Sequence, residues 1–334
     1  MAMLSMSKRL ITSATDSAGM PVFMQDWFTG LIARKSDVIR TTVVARDNMA
    51  AGVYIVFAYR NALGMKQAHN LPWAHLGGPV IAENADPAQR SQIVKDLIDQ
   101  LPSNRSYFLT LSNESDFNAF LAAGFEGELG ENFIIPVEQA ATWESGLSKM
   151  ARRHLRRAKE DLSVSTLDPA EFVRHYGEHL SMRRRKPYAE LSIARDILVE
   201  AIGRGQARVI AARRRDSVEI DAAVACLWDD SNYYYWMTTR RPPVSGRRAP
   251  HQGAVKLLLY TAIKHAHGKG LTFDFDGVAS PCVARLYAGM GGTKSVRYKV
   301  TRQTVCERFA SLIRSPVKSA FRRTIGRLVP LKLN

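Results

Sequence analysis

The feature that most constrains the fold of this chain is an internal repeat. Asn113-x-x-x-Phe117-x-x-Phe120-x-x-x-Gly124-Phe125 is answered by Ser280-x-x-x-Ala284-x-x-Tyr287-x-x-x-Gly291-Gly292. The offset is 167 at each matched position (280−113, 287−120, 291−124). In both copies a strand-like segment precedes the motif and a longer helix-like segment precedes the strand. The 334 residues therefore read as two copies of one α/β unit, with a boundary near Pro136–Thr142. The expected division is a first unit over 1–140, a second over 141–305 and a tail over 306–334.

Local patterns fill in the units. Alternation around Val43–Ala45 and over Val53–Tyr59 predicts strands, as does Ser106–Leu111. Asp86-Pro87 predicts a helix start, with Ile93, Val94, Leu97, Ile98 and Leu101 as its apolar face. A short helix runs from about Ser115 to Ala123, stopped by Gly124. In the second copy, helices are expected over Trp143–Leu162 and Asp168–Arg184, then strands over Ala207–Ala212, Ile220–Trp228 and Tyr233–Thr239. Asp229–Asn232 supplies a hairpin turn. A loop over Arg240–Pro250, a helix to His267, a strand over Leu271–Asp276, a helix over Pro281–Met290 and a strand over Val296–Arg302 complete the reading.

Charge separates the copies. Residues 1–142 hold 11 Lys/Arg and 14 Asp/Glu, a net of −3; residues 143–334 hold 36 and 17, a net of +19. A polyanionic partner is expected to meet the second part first. Hydrophobic content of 46% provides for a core and excludes a disordered or fibrous chain. Cys226, Cys282 and Cys306 are far apart and form no CxxC pair, so neither a disulfide framework nor a zinc knuckle is expected, and no His or Cys spacing argues for a metal. There is no run of 18 apolar residues and no apolar stretch of signal-peptide length, so a cytoplasmic protein is expected.

The order helix, strand, then Ser280-x-x-Val283-x-x-Leu286-Tyr287-x-x-x-Gly291-Gly292 resembles the C-terminal half of the GNAT acyltransferase fold, and Asn113, Asp116, Ala119, Phe120, Gly124 and Phe125 resemble it again in the first copy. Three further stretches carry the likeness: Leu147–Lys159, the Leu76-Gly-Gly-Pro79 loop and Thr272–Gly277. Tandem units of this kind are similar to the Fem-type aminoacyltransferases and to Fem-like acetyltransferases of cellulose biosynthesis. The resemblance implies an α/β (α+β) fold of two tandem GNAT-like units, each a mixed, mostly antiparallel sheet flanked by helices. It also implies an N-acyltransferase with acyl-CoA as co-substrate, or aminoacyl-tRNA in its place.

Candidate residues follow. Tyr287 matches the tyrosine that in many GNAT enzymes protonates the leaving thiolate; Phe120, at the matching position of the first copy, has no hydroxyl, so the first unit is expected to support rather than catalyse. A role for Tyr287 in packing alone is the alternative. Asp274 and Asp276, two apart on a strand, share one face and sit where substrate is oriented or deprotonated. Their alternative is pairing with loop backbone or a nearby arginine. Ser245–Ala254 offers a phosphate site at a helix start, through Arg247, Arg248, Gln252, Gly253 and Ala254. A basic surface loop is the competing reading.

The helix carrying Lys149, Arg152, Arg153, Arg156, Arg157 and Lys159 has almost no acid before Glu160, which points to an anionic ligand. Arg152, Arg153 and Arg156, with Tyr188, Trp236 and His75, are assigned to substrate or anion contact. In the tail, Phe309, Leu312, Ile313, Val317 and Phe321 alternate with Arg308, Arg314, Lys318, Arg322 and Arg323, the pattern of a basic amphipathic helix lying on the inner face of an anionic membrane. The expected activity moves an acyl or aminoacyl group to the amine of a small-molecule or lipid-linked acceptor in envelope, lipid or polysaccharide synthesis. A tRNA-dependent transferase and a non-catalytic membrane or nucleic-acid binding protein are the alternatives.

Overall fold

The computed structural model describes residues 20–44, 51–82, 85–187, 189–246 and 248–310; Tyr188, Arg247 and nearly all of the tail lie outside the described residues. The first unit contains α1 (Asp26–Ala33), β1 (Val38–Val44), β2 (Ala51–Arg60), β3 (Lys66–His69), β4 (Val80–Ile81), α2 (Pro87–Asp99), β5 (Ser106–Leu111), α3 (Glu114–Ala122) and β6 (Glu126–Ile135). The second contains α4 (Lys149–Asp161), β7 (Leu162–Thr166), α5 (Pro169–Met182), α6 (Leu191–Gly203), β8 (Ala207–Arg214), β9 (Ile220–Trp228), β10 (Asn232–Arg240), α7 (Ala254–Gly268), β11 (Thr272–Asp274), α8 (Pro281–Gly289) and β12 (Thr293–Arg302).

The repeat extends beyond the motif. α7 follows α2, α8 follows α3 and β12 follows β6 by 167 residues each (254−87, 281−114, 293−126). Local chemistry fixes the matched ends. The Asn113 side chain accepts from the N–H of Asp116 and the Ser280 side chain from that of Val283, capping α3 and α8. Gly124 and Gly291, at φ 81° and 87°, end both helices in the left-handed region that favours glycine. α2 starts on a capping box in which Asp86 accepts from the N–H groups of Ala88 and Gln89, and Pro87 takes the first helical position.

The strands form one sheet in the order β1-β2-β3-β5-β12-β6-β11-β10-β9-β8-β7, with β4 alongside β2. The units exchange their last strands. β12 lies between β5 and β6, antiparallel to both, and β6 pairs antiparallel with β11. The β3–β5 and β10–β11 pairs are parallel. The exchange leaves no open sheet edge between the units and carries side chains of β6 and β12 to the end of β11.

Three large apolar clusters and a small one at Met20, Met24, Val53 and Val80 hold the layers among the described residues. Leu155, Leu258, Ile263, Phe273 and Tyr287 bury one face of the second unit's sheet under α4, α7 and α8. Tyr54, Val56, Leu97, Leu109 and Phe120 do the same in the first unit under α2 and α3. Between them, Phe28 and Ile32 of α1 join Phe172, Ile197, Val209, Ala223 and Trp236 on the other face of the second unit's sheet. β9 is buried along its whole length. Its Ala222, Ala223 and Ala225 suit a strand covered on both faces. Each large side chain so enclosed contributes about 1.5–3 kcal/mol.

Several elements differ from the sequence reading. Trp143–Gly146 is a separate 3-10 turn, and α4 begins only after Ser148, whose hydroxyl accepts from the N–H of Ala151. β11 stops at Asp274 because Asp276 and Gly277 adopt φ 64° and 86°. α1, α6 and β6 were not expected at all.

Candidate active site

β10 and β11 pair only over Asn232–Tyr234 and Thr272–Asp274. β11 then ends, while β10 continues to Arg240 with a register shift against β9 between Tyr234 and Met237. Two parallel strands that part in this way open a wedge beyond a strand C-terminus, where ligands of α/β sheets bind.

The turn after β11 is built from polar contacts. Asp274 Oδ1 accepts from the backbone N–H of Asp276 (2.7 Å), from Asn132 Nδ2 (3.1 Å) and from Arg297 Nη2 (2.8 Å). Asn132 Oδ1 accepts from the N–H of Gly277 at 2.7 Å. Arg297 Nη2 also reaches Asp276 Oδ1 at 3.3 Å. Asn132 stands on β6 and Arg297 on β12, so both arrive through the strand exchange. Burial pushes the Asp274 carboxyl up, against the pull of Arg297 and Asn132. One guanidinium facing two carboxylates leaves the ionised cluster with one surplus negative charge.

The other oxygen of Asp276 meets Nδ1 of His75, contributed by the first unit. The loop bearing His75 is pinned at Trp73, itself at φ 66°. The Trp73 indole donates to the carbonyl of Glu190 (3.1 Å), and the Trp236 indole donates to the carbonyl of Trp73 (2.7 Å). Gly77 is stitched to β5 through Thr110 and Ser112, and the His75 ring stacks on Phe23 at 5.7 Å. Burial, with the Arg297 guanidinium next in weight, pushes the His75 imidazole down to about 3, so the resting ring is neutral. The contact with Asp276 Oδ2 sets the tautomer that carries the ring proton at Nδ1 and leaves Nε2 free to accept one. Two residues in the left-handed region, Trp73 and Asp276, thus flank one contact, as strain at functional sites commonly does.

Tyr287 stacks on Phe275 at 4.5 Å and meets Tyr235 and Phe133 edge-on at 6.2 Å. Burial, then the Asp274 charge, pushes its hydroxyl well above the ordinary phenol value. Tyr287, Asp274, Asp276 and His75 are thereby gathered around one turn. The Asp pair is brought together by the turn and Arg297 rather than by strand alternation.

The other expected residues lie elsewhere. Trp236 is enclosed in the junction core and holds the Trp73 loop, a positioning role in place of the expected substrate contact. Tyr188 and Arg247 fall outside the described residues. The Ser245–Ala254 loop is exposed over Ser245, Gly246, Arg248 and Ala249, and its Gly253–Ala254 end is packed. Arg248 pairs with exposed Asp216 at 2.9 Å, and the Gly253 N–H donates to His251 Nδ1 at 3.0 Å. A Cβ on Gly253 would meet the His154 carbonyl of α4 at 2.7 Å, so this glycine is set by close packing of α4. Ala254 is buried and Gln252 exposed. His251 itself is held by Asp221 and Asp161.

Arg152, Arg153 and Arg156 are exposed on α4. Arg152 reaches the Ser145 carbonyl, and none of the three forms an ion pair among the described residues. Asn132, Arg297 and Tyr235 were missed from sequence. Arg297 carried no signal in the sequence, because it falls on the polar side of the β12 alternation with Ser295, Lys299 and Thr301.

Residues 146–299 match the model of the acetyltransferase (GNAT) domain. FemX is similar in structure, with 11% identity, 88% of this chain and 95% of that chain covered, and a TM-score of 0.62. The C-terminal domain of a putative lysylphosphatidylglycerol synthetase from Agrobacterium fabrum shares 12% identity over 92% of this chain and 95% of its own, with a TM-score of 0.54. L-PGS from Bacillus licheniformis shares 11% identity over 86% and 95%, with a TM-score of 0.50. At such identities the likeness is one of fold. No curated protein matches the chain. Residues 146–299 thus carry a match to the acetyltransferase (GNAT) domain, within a strand-exchanged tandem fold that is similar to that of FemX.

Proposed function

We propose that the wedge beyond β11 transfers an acyl or aminoacyl group from an activated donor to a primary amine. The observation that carries this reading is the meeting of His75 from the first unit with the Asp276–Arg297–Asp274 cluster of the second, beside Tyr287. The amine nitrogen attacks the donor carbonyl carbon and the carbon–heteroatom bond breaks. The amine proton passes to His75 Nε2, where Asp276 stabilises the imidazolium. The surplus negative charge of the cluster suits the positive charge that grows on the attacking nitrogen. Tyr287 gives its proton to the leaving group and regains one from solvent.

Two observations favour an ester donor such as aminoacyl-tRNA over acyl-CoA. A phenol held above its usual pKa of about 10 is a poor acid toward a thiolate, whose thiol titrates near 8.5, and a better match for an alkoxide. The helix start that would hold the CoA pyrophosphate is covered by α4, while α4 itself presents arginines without ion-pair partners. The putative lysylphosphatidylglycerol synthetase of like fold supports an acceptor of the lipid or envelope-precursor class. We further propose that the first unit supports the second and that residues 306–334 rest on the inner face of an anionic membrane. Deletion of 311–334 is expected to release the protein from anionic vesicles, and unchanged binding would contradict that contact.

The test is transfer by the purified full chain with acyl-CoA and with aminoacyl-tRNA, each offered to lipid and sugar amines. Turnover with aminoacyl-tRNA, reduced about 10²–10⁴-fold in Tyr287→Phe, is the expected result. Turnover with acyl-CoA alone would overturn the donor assignment, and full activity of both Tyr287→Phe and Asp276→Asn would overturn the site.

A further inference from the structure

The first unit's sheet has a face that its counterpart lacks. In the second unit α5 and α6 pack on the face opposite α7. The first unit has only α1 at the corresponding place, and α1 turns toward the second unit's core. Phe57 is left half-buried, and a cavity of about 1050 Å³ stands over the strands.

Its floor is aromatic. Phe57 and Tyr59 alternate onto one face of β2 and stack at 5.4 Å and 16°. His69 of β3 follows at 5.3 Å. The Tyr59 hydroxyl donates to Gln67 Oε1 at 2.6 Å and lies 3.0 Å from His69 Nε2, so the rings are held in place.

Its wall is cationic. Arg60 and Lys66 stand directly opposite each other in the β2–β3 register, start from the face opposite Phe57 and Tyr59, and border the cavity at the strand end. Like charges so placed repel. Arg105 precedes Ser106, the residue that pairs with Gln67 beside Lys66. Arg105 Nη1 donates to the carbonyls of Gln67 and Tyr59, while its buried Nε has no partner. Among the described residues none of these three cations forms an ion pair. Lys35, which also lines the cavity, is occupied by Asp196. Asp37 and Glu190 border the cavity without coming within ion-pair distance of the three. Glu307, the carboxylate that acts on His69, bonds the Asn61 side chain instead.

The geometry points to a ligand site in the first unit for an anionic ring compound. A planar ring lies on the Phe57–Tyr59 ladder, and its carboxylate or phosphate meets Arg60, Lys66 and Arg105. Charge-assisted hydrogen bonds and stacking supply the affinity. The ligand also neutralises a like-charge pair that the empty protein must tolerate. Neither the acidic net charge of the first unit nor the transfer chemistry of the second would suggest this site, and it does not depend on that chemistry.

Calorimetric titration of the full chain with inorganic phosphate, benzoate and adenosine 5′-monophosphate tests it and separates aryl-carboxylate from nucleotide sources. At least one ring-bearing anion is expected to bind about tenfold or more tightly than inorganic phosphate. Arg60→Ala and Lys66→Ala should each weaken that binding about tenfold. Arg60→Ala should also raise Tm in the absence of ligand, since it relieves the repulsion. Phe57→Leu should keep the fold and lose the advantage of ring over phosphate. Asp276→Asn should bind as wild type, whatever becomes of transfer. Equal binding of phosphate and ring anions, no binding of any probe, binding that survives the Arg60/Lys66 double substitution, or loss of binding in Asp276→Asn would overturn the assignment.

Discussion

The two units place very different residues at matched positions. Tyr287 of the second corresponds to Phe120 of the first, Asp276 to Leu109, Asp274 to Tyr107 and Arg297 to Gly130, each 167 residues apart. In the first unit the space closes apolarly, with Phe120 against Phe125 at 4.9 Å and the Tyr107 hydroxyl donating to the Pro102 carbonyl. In the second, two buried carboxylates are tolerated because Arg297 and Asn132 reach them. Buried carboxylates are thus found where the exchanged strands bring polar partners, and the matched positions of the first unit are filled by apolar and aromatic side chains.

The largest effect is expected at Arg297. Arg297→Met leaves Asp274 and Asp276 buried without a counter-charge and should cost about 3–5 kcal/mol in denaturant unfolding, with transfer lost. If the variant unfolds like wild type, the second unit's cluster is not held as described. Phe120→Tyr asks the converse question. A hydroxyl placed where the first unit has no partner should cost about 1–3 kcal/mol, whereas Tyr287→Phe should change stability by less and activity by far more. Equal stability losses at the two positions would erase the distinction between the units.

Gly253→Ala pushes a methyl against the His154 carbonyl and should destabilise by about 1–3 kcal/mol through the α4–α7 contact. A neutral result would reopen that helix start to phosphate. The smallest effect is in pH dependence. His75 titrates near 3 in the folded chain, below its unfolded value of 6.5. Stability from its neutral form is therefore present above pH 6.5 and lost as pH falls toward 3. His179, pushed down to about 4 chiefly by burial, adds to the same acid limb. His75→Gln should flatten the stability–pH profile below 6.5 by at most one proton, and an unchanged slope would contradict the neutral assignment.

Much of the architecture was legible because the repeat is carried by helix caps and glycines, which are local. α3 and α8 could be placed from Asn113, Ser280, Gly124 and Gly291 alone. β6 was not legible. Its Glu126-Gly-Glu-Leu-Gly-Glu131 segment reads as solvent loop, and only pairing with β12 makes it a strand. α1 and α6 were missed for a related reason. Their apolar faces answer a junction between the units, which no local pattern specifies. The site was half legible. Tyr287, the Asp pair and His75 stand out in sequence, but Asn132 and Arg297 gain meaning only through strand exchange, and the contact of His75 with Asp276 only through the pinned Trp73 loop. At Gly253 a glycine that reads as room for phosphate is also required by the close packing of α4 on α7.

The central claim is that one site is assembled from both units, through the His75–Asp276 contact. A double-mutant cycle on single-turnover transfer, with His75→Gln, Asp276→Asn and the pair together, tests it most directly. Each single variant should lose about 10²–10⁴-fold, and the double variant should be no worse than the poorer single. Losses that multiply, or a His75→Gln variant as fast as wild type, would contradict it.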